Sequence, residues 1–280
     1  MARVRVGSGQ RLMRAATVLI SAVVAALLTY HALPSPARDA ALPSSPASVL
    51  SIGGSAAVKV TAPPSLFTAG APAPLIHATS VTRWAPVLHA TVAHRAPSFR
   101  SRIVGRITTR TSDGTTNIVV GTDEVVRHGV LWERVGLAVL PNGTQGWVPR
   151  AVLGGWSFDD TRLVVDRKRL TATLLEGGRV IFHTRVAIGA PGTPTPAGKF
   201  YVRDRLSDFE SPMYGPLAFG TNARSPTLTD WPGGGVVGIH GTDQPRLIPG
   251  RVSHGCVRMT NAAIVRLGKL MPIGTAVTIR

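Results

Sequence analysis

The sequence predicts a mainly β protein: an N-terminal membrane segment and a disordered linker, a small all-β barrel, then a larger β-rich domain carrying one short helix near its C-terminus. Three observations lead there. Hydrophobic residues make up 44% of the 280, enough for real cores, while 30 glycines, 22 prolines and 5% aromatic residues favour short strands and turns over long helices. Short apolar runs of β type recur between turn signals from His77 onward. One late stretch has helical spacing, with Ile264, Leu267 and Leu270 on a common face.

The first segment, 1–33, opens with "MARVRVGSGQRLMR", four arginines and no acid, followed by nineteen uncharged residues from Ala15 to Leu33. This is a translocation signal. A stretch near ~20 residues can span a bilayer as an anchor, whereas the small residues of "SPA" at 35–37 suit a peptidase, so signal peptide and membrane anchor both stay open. In either case the arginines stay inside and the rest of the chain is expected outside the cytoplasm, in the cell wall or periplasm. Residues 34–75, rich in Pro, Ala, Ser and Gly with almost no charge and no period, read as a disordered linker.

Residues 77–153 hold runs such as "SRIVGRITTR", "TNIVVGTDEVV" and "VLWERVGLAVL", the spacing of a small all-β barrel. Asn142-Gly143 predicts a tight hairpin, and Pro149 closes the strand that holds Trp147. From Asp160, "RLVVDRKRLTATLLEGGRVIFHTRVAIG" alternates apolar with polar residues and turns at Glu176-Gly177-Gly178, as antiparallel strands do. "VVGIHG" is a further buried strand with His240 near its end. Thr260 is placed to cap the helix of "NAAIVRLGKLM", and "TAVTIR" closes as a strand.

Lys and Arg number 31 against 14 Asp and Glu, a net charge of +17. Such a surplus suits an anionic polymer or a membrane surface. For a chain outside the cytoplasm, nucleic acid is not an expected partner.

Cys256 is the single cysteine, so no internal disulfide can form, and the thiol is either a small buried hydrophobe or a reagent. Its neighbours His254, Gly255 and Arg258 are not apolar, which favours the reagent. A free thiol with pKa ~8.5 is mostly protonated at neutral pH and needs a base. His254, two residues away, falls on the same face of an extended segment, while His240 lies on a separate strand and can approach from across the site. Gly255 permits the backbone geometry that an oxyanion hole requires. Zinc is a poor fit, because neither CxxC nor HExxH accompanies these residues. "GTPTPAGKF" at 192–200 is not a phosphate loop, since its prolines lack N–H donors and Phe200 stands where a hydroxyl is needed. No cofactor and no metal are expected.

Two resemblances follow. "LWERV" with "NGTQGWVPRAVL" resembles the bacterial Src-homology-type barrels found beside cell-wall enzymes. "GIHGT" followed by "SHGCVRM", with "GAPGTPTPAGKFYV" upstream, is similar to the YkuD-type L,D-transpeptidase catalytic domain over 160–280. The second implies a secreted β-rich enzyme acting on peptidoglycan stem peptides, with Cys256 as nucleophile and His240 as general base. It also implies that Ser253, His254, Gly255 and Arg258 shape the site, Arg258 being able to meet a substrate carboxylate. The implied reaction is 3→3 cross-linking from tetrapeptide donors, with carboxypeptidase activity when water accepts and carbapenems as inhibitors. Acidic wall polymers suit the charge. A secreted cysteine endopeptidase of wall peptides and a non-catalytic wall-binding protein are the alternatives.

Overall fold

The computed structural model describes residues 70–74, 81–207, 211–228 and 235–280. The apolar stretch at 15–33 and nearly all of the linker lie outside the described residues; among those described, no helix is long and apolar enough to cross a membrane. What is described is mainly β, with one α-helix, and belongs to a single compact unit, Pro63–Arg280.

Two sheets make up this unit. The first runs in the order Ile103–Ile107, Thr91–His94, Gln145–Pro149, Val130–Gly136, Ile118–Arg127, Thr82–Pro86 and Ser157–Asp159, with Ala73–Pro74 paired to Ile118–Arg127. The second has ten strands in the order Arg179–Arg185, Thr171–Glu176, Thr161–Asp166, Ala276–Ile279, Gly198–Ser207, Leu217–Arg224, Val236–His240, Val257–Arg258, Ala187–Gly189 and Gly250–Ser253.

Period-two patterning accounts for the outer strands of the second sheet. Thr161, Leu163 and Val165 face inward from one strand, and Ala172 and Leu174 from the next. Leu217–Arg224 differs, because it is buried along almost its whole length. Its polar residues are therefore matched to partners: the Thr221 hydroxyl donates to Val237 O at 2.6 Å, and Asn222 Oδ1 accepts from Tyr201 N at 2.8 Å. The helix, Asn261–Gly268, starts where the sequence places it. Thr260 Oγ1 accepts from Ala263 N at 3.2 Å, and Ile264 and Leu267 are buried against the sheet.

The two sheets are tied by directed polar contacts. Tyr201 Oη donates to Gly136 O at 2.9 Å, Arg224 Nε to Ala138 O at 2.9 Å, and Arg203 Nη2 to Asn117 Oδ1 at 2.8 Å. Asn142 and Arg224 exchange a pair of hydrogen bonds at 2.7 and 2.8 Å. The Asn142-Gly143 turn, closed by Thr144 N donating to Pro141 O at 3.3 Å, sits within the longer connection 137–144 in place of the tight hairpin expected, and it fastens that connection to the second sheet.

Glu133 is fully buried in the first sheet, 3.7 Å from Arg83 Nη2 and 3.7 Å from Arg150 Nε, with both guanidiniums stacked on Trp156. Burial outweighs the two arginines and pushes the carboxyl up to about 7. With the pKa raised, the folded protein holds a proton that the unfolded chain has lost, so this group favours folding below the unfolded value of ~4.3. That contribution declines as pH rises and is gone above about 7. The stability of the wild type relative to Glu133→Gln is accordingly expected to fall by up to about 3 kcal/mol across that window. Denaturant titrations of both proteins at several pH values check it.

Candidate active site

The strand Val236–His240 ends on a histidine, and the short strand Val257–Arg258 begins immediately after the cysteine. They pair in parallel, Ile239 with Val257 and His240 with Arg258. This pairing brings residues sixteen positions apart to one sheet end, and His240, Cys256, His254 and Arg258 line one cavity of about 320 Å³ together with Tyr214 and Gly238.

His240 is buried, and its Nδ1 lies 2.6 Å from Gly241 O. A carbonyl only accepts, so Nδ1 carries the proton and Nε2 is left with a free lone pair. Tyr214 packs edge-on against the imidazole, with ring centroids 5.0 Å apart at 63°. Burial, against the Gly241 bond and with help from the Arg258 charge, lowers the His240 pKa to about 4.

Cys256 is a half-buried free thiol. Its Sγ accepts from the Gly238 N–H at 3.4 Å. Burial pushes the thiol up, and the Gly238 bond and Arg258 pull it part of the way back. Both shifts favour the uncharged forms, thiol and neutral imidazole.

The turn before Cys256 is built by hydrogen bonds. The Ser253 hydroxyl donates to Cys256 O at 2.6 Å and accepts from Gly255 N at 3.2 Å. Thr195 Oγ1 donates to Gly255 O at 2.8 Å and accepts from Gly189 N at 2.8 Å. Gly255 has φ +114°, a conformation that side chains resist. The Gly255 N–H is engaged by the Ser253 hydroxyl inside the turn. Gly255 and Ser253 thus shape the loop, and the N–H that points at the sulfur is that of Gly238.

His254 is exposed at the cavity wall. Arg258 also faces the cavity, and its buried Nε has no hydrogen-bond partner among the described residues. Sequence reading missed Tyr214, Gly238 and the Gly241 carbonyl. None has a motif of its own, although "VVGIHG" already places Gly238 two residues before His240, on the same face of the strand.

Comparison with known proteins identifies the family of the C-terminal part of the chain. The L,D-transpeptidase catalytic domain family, YkuD, matches residues 160–279. YqjB of Bacillus subtilis strain 168, named as an L,D-transpeptidase, is 30% identical over 128 residues, which cover 43% of this chain and 71% of YqjB. YkuD of the same organism is 36% identical over 109 residues, covering 39% of this chain and 59% of YkuD. The catalytic domain of an L,D-transpeptidase from E. faecium is 29% identical with a TM-score of 0.33, covering 44% of this chain and 98% of that domain. The chain belongs to the YkuD family of L,D-transpeptidases. It spans 59% and 64% of the length of the YkuD relatives from B. subtilis and B. licheniformis.

Proposed function

We propose that this protein is a peptidoglycan L,D-transpeptidase that forms 3→3 cross-links by cysteine acyl transfer. The observation that carries this reading is the single cavity shared by Cys256 and a His240 whose tautomer presents Nε2 as a base. His240 Nε2 takes the thiol proton as Sγ attacks the donor carbonyl carbon. The Gly238 N–H, aimed at the sulfur at rest, and the Cys256 N–H are the proposed donors to the oxyanion. On collapse the C–N bond breaks, the departing amino acid's nitrogen takes the proton from His240, and a thioester remains. A side-chain amine of a second stem then attacks, its proton passing to His240, and the thiol is restored. Water in place of the amine makes the same site a carboxypeptidase. The unpartnered Arg258 Nε suits a substrate carboxylate.

The segment 160–280 is proposed as the catalytic domain, and the first sheet as the Src-homology-type barrel expected at 77–153. The strongly basic chain suits acidic wall polymers. The arginine-led apolar stretch at 15–33 supports a place outside the cytoplasm, either anchored or released after cleavage.

Intact-mass analysis with a carbapenem tests the reading. One adduct per chain, mapped to Cys256 and absent from Cys256→Ala, is expected, together with 3→3 dimers when muropeptides are supplied. A folded wild type that gains no adduct would move the wall-binding alternative ahead, and new amino termini in wall fragments would favour the endopeptidase.

The pH profile is a further expected result. With the His240 pKa lowered, the base is already neutral well below neutral pH, so acylation should hold down to roughly pH 5 and fall through about 4 as the imidazole takes a proton. An acid limb at the ordinary histidine value of ~6.5 would contradict the lowering of the His240 pKa by burial.

A further inference from the structure

The wall of the catalytic cavity is not made by the ten-stranded sheet alone. Asp113 lines it too, from the tip of the turn that joins Ile103–Ile107 to Ile118–Arg127 in the first sheet. That turn is braced internally. Thr111 N donates to Thr115 O at 2.9 Å, their hydroxyls lie 2.8 Å apart, and Arg110 Nη1 donates to Gly114 O at 2.8 Å. Its two ends are also fastened to the second sheet, because the Thr111 hydroxyl bonds the buried Asp204 carboxylate and Asn117 Oδ1 accepts from Arg203. The tip is thus held at the site by the packing of the two sheets.

Asp113 is exposed, and its side chain accepts one bond, from the adjacent Ser112 hydroxyl at 3.3 Å. No salt bridge within 4.0 Å includes it among the described residues, although it interacts electrostatically with the Arg224 guanidinium and the Asp204 carboxyl. The other charged or titratable groups on the cavity wall are His240, His254, Cys256, Tyr214 and Arg258, so among the described residues Asp113 is its carboxylate. In a chain of net charge +17, this places one negative group where the substrate must lie. An anionic or neutral substrate group gains little from it, whereas a primary ammonium gains a charge-assisted hydrogen bond. The proposed acceptor is such a group: an alkylamine with pKa ~10 arrives protonated at neutral pH.

We infer that Asp113 is a substrate-binding residue, supplied by the first sheet, that receives the side-chain ammonium of a stem peptide within the cavity of Cys256. The inference rests on the proposed transpeptidase reading. The ammonium could belong to the donor or to the acceptor, and the arms of the test separate them.

Asp113→Asn removes the charge at an exposed turn, where substitutions disturb stability little. With a carbapenem that carries no cation, the variant is expected to acylate at the wild-type rate. With stem peptides a loss of about tenfold is expected, the order that a charge-assisted hydrogen bond carries. If the donor's ammonium is read, thioester formation falls and the loss vanishes with a donor whose side-chain amine is acetylated. If the acceptor's is read, donor hydrolysis is unchanged and the ratio of aminolysis to hydrolysis falls. Asp113→Glu should restore part of either loss. Wild-type rates in every stem-peptide arm would overturn the inference, as would an equal loss that includes the carbapenem, which would mark a structural role. A wild type that forms no adduct with either reagent would instead sink the transpeptidase reading itself.

Discussion

Alanine at position 240 is expected to slow acylation of Cys256 by about 10³-fold at neutral pH, within the range that a positioned general base supplies. Burial pushes the thiol above its ordinary value, so resting thiolate offers little to fall back on once the proposed base is gone. The Gly238 N–H remains in His240→Ala, yet a single hydrogen bond of 3.4 Å to sulfur is a weak substitute for proton removal. His254→Ala should cost far less, because that ring lies exposed at the cavity wall while His240 is buried with its tautomer set by Gly241. Stopped-flow acylation by a carbapenem, with Cys256→Ala as the blank, gives the ranking. If His254→Ala proved the slower variant, the assignment of the base would be reversed.

Gly189→Ala is expected to destabilise the fold by about 3 kcal/mol or more and to take acylation down with it, the upper range for forcing an atom into packed space. A Cβ there would stand 2.5 Å from Thr195 N, 2.8 Å from Pro194 C and closer still to Thr193 O. All three are backbone atoms, so no rotamer change can relieve the clash and the Thr193–Thr195 turn must move. Thr195 bridges Gly189 N and Gly255 O, so displacing it loosens the turn that delivers Cys256. Urea denaturation and carbapenem acylation of the folded fraction measure the two effects. A variant with wild-type stability would show that the turn yields freely.

The same bridge shows what could and could not be read beforehand. "GTPTPAGKF" was legible as a turn and not a phosphate loop, since proline chemistry is local. That its Thr195 holds the loop of the cysteine depends on Gly189 and Gly255 meeting across 60 and more residues of chain, and no local pattern encodes such a contact. Likewise the strand ending at His240 and the helix capped by Thr260 follow from period and capping rules, and Cys256, His240, His254 and Arg258 do share one cavity. The hold of the Ser253 hydroxyl on the Gly255 N–H was not legible, because it follows from the folded geometry of the turn. Asp113 was out of reach for another reason. Residues 77–153 have no catalytic motif, and an acid in a Thr-Ser-Asp-Gly turn looks like ordinary turn chemistry until the two sheets are packed.

Burial that favours the protonated Cys256 thiol has a consequence for how long that thiol survives. Peroxide and small electrophiles react with thiolates, and the rate of sulfenic acid formation follows the fraction ionised and exposed. With the Cys256 proton retained by burial, that fraction is small between turnovers. On the proposed mechanism, the sulfur becomes nucleophilic when a carbonyl is in place and the proton can pass to His240 in the same event. Slow oxidation of the resting thiol is expected on that reading, and since Cys256 is the single cysteine of the sequence, no internal disulfide can form from it.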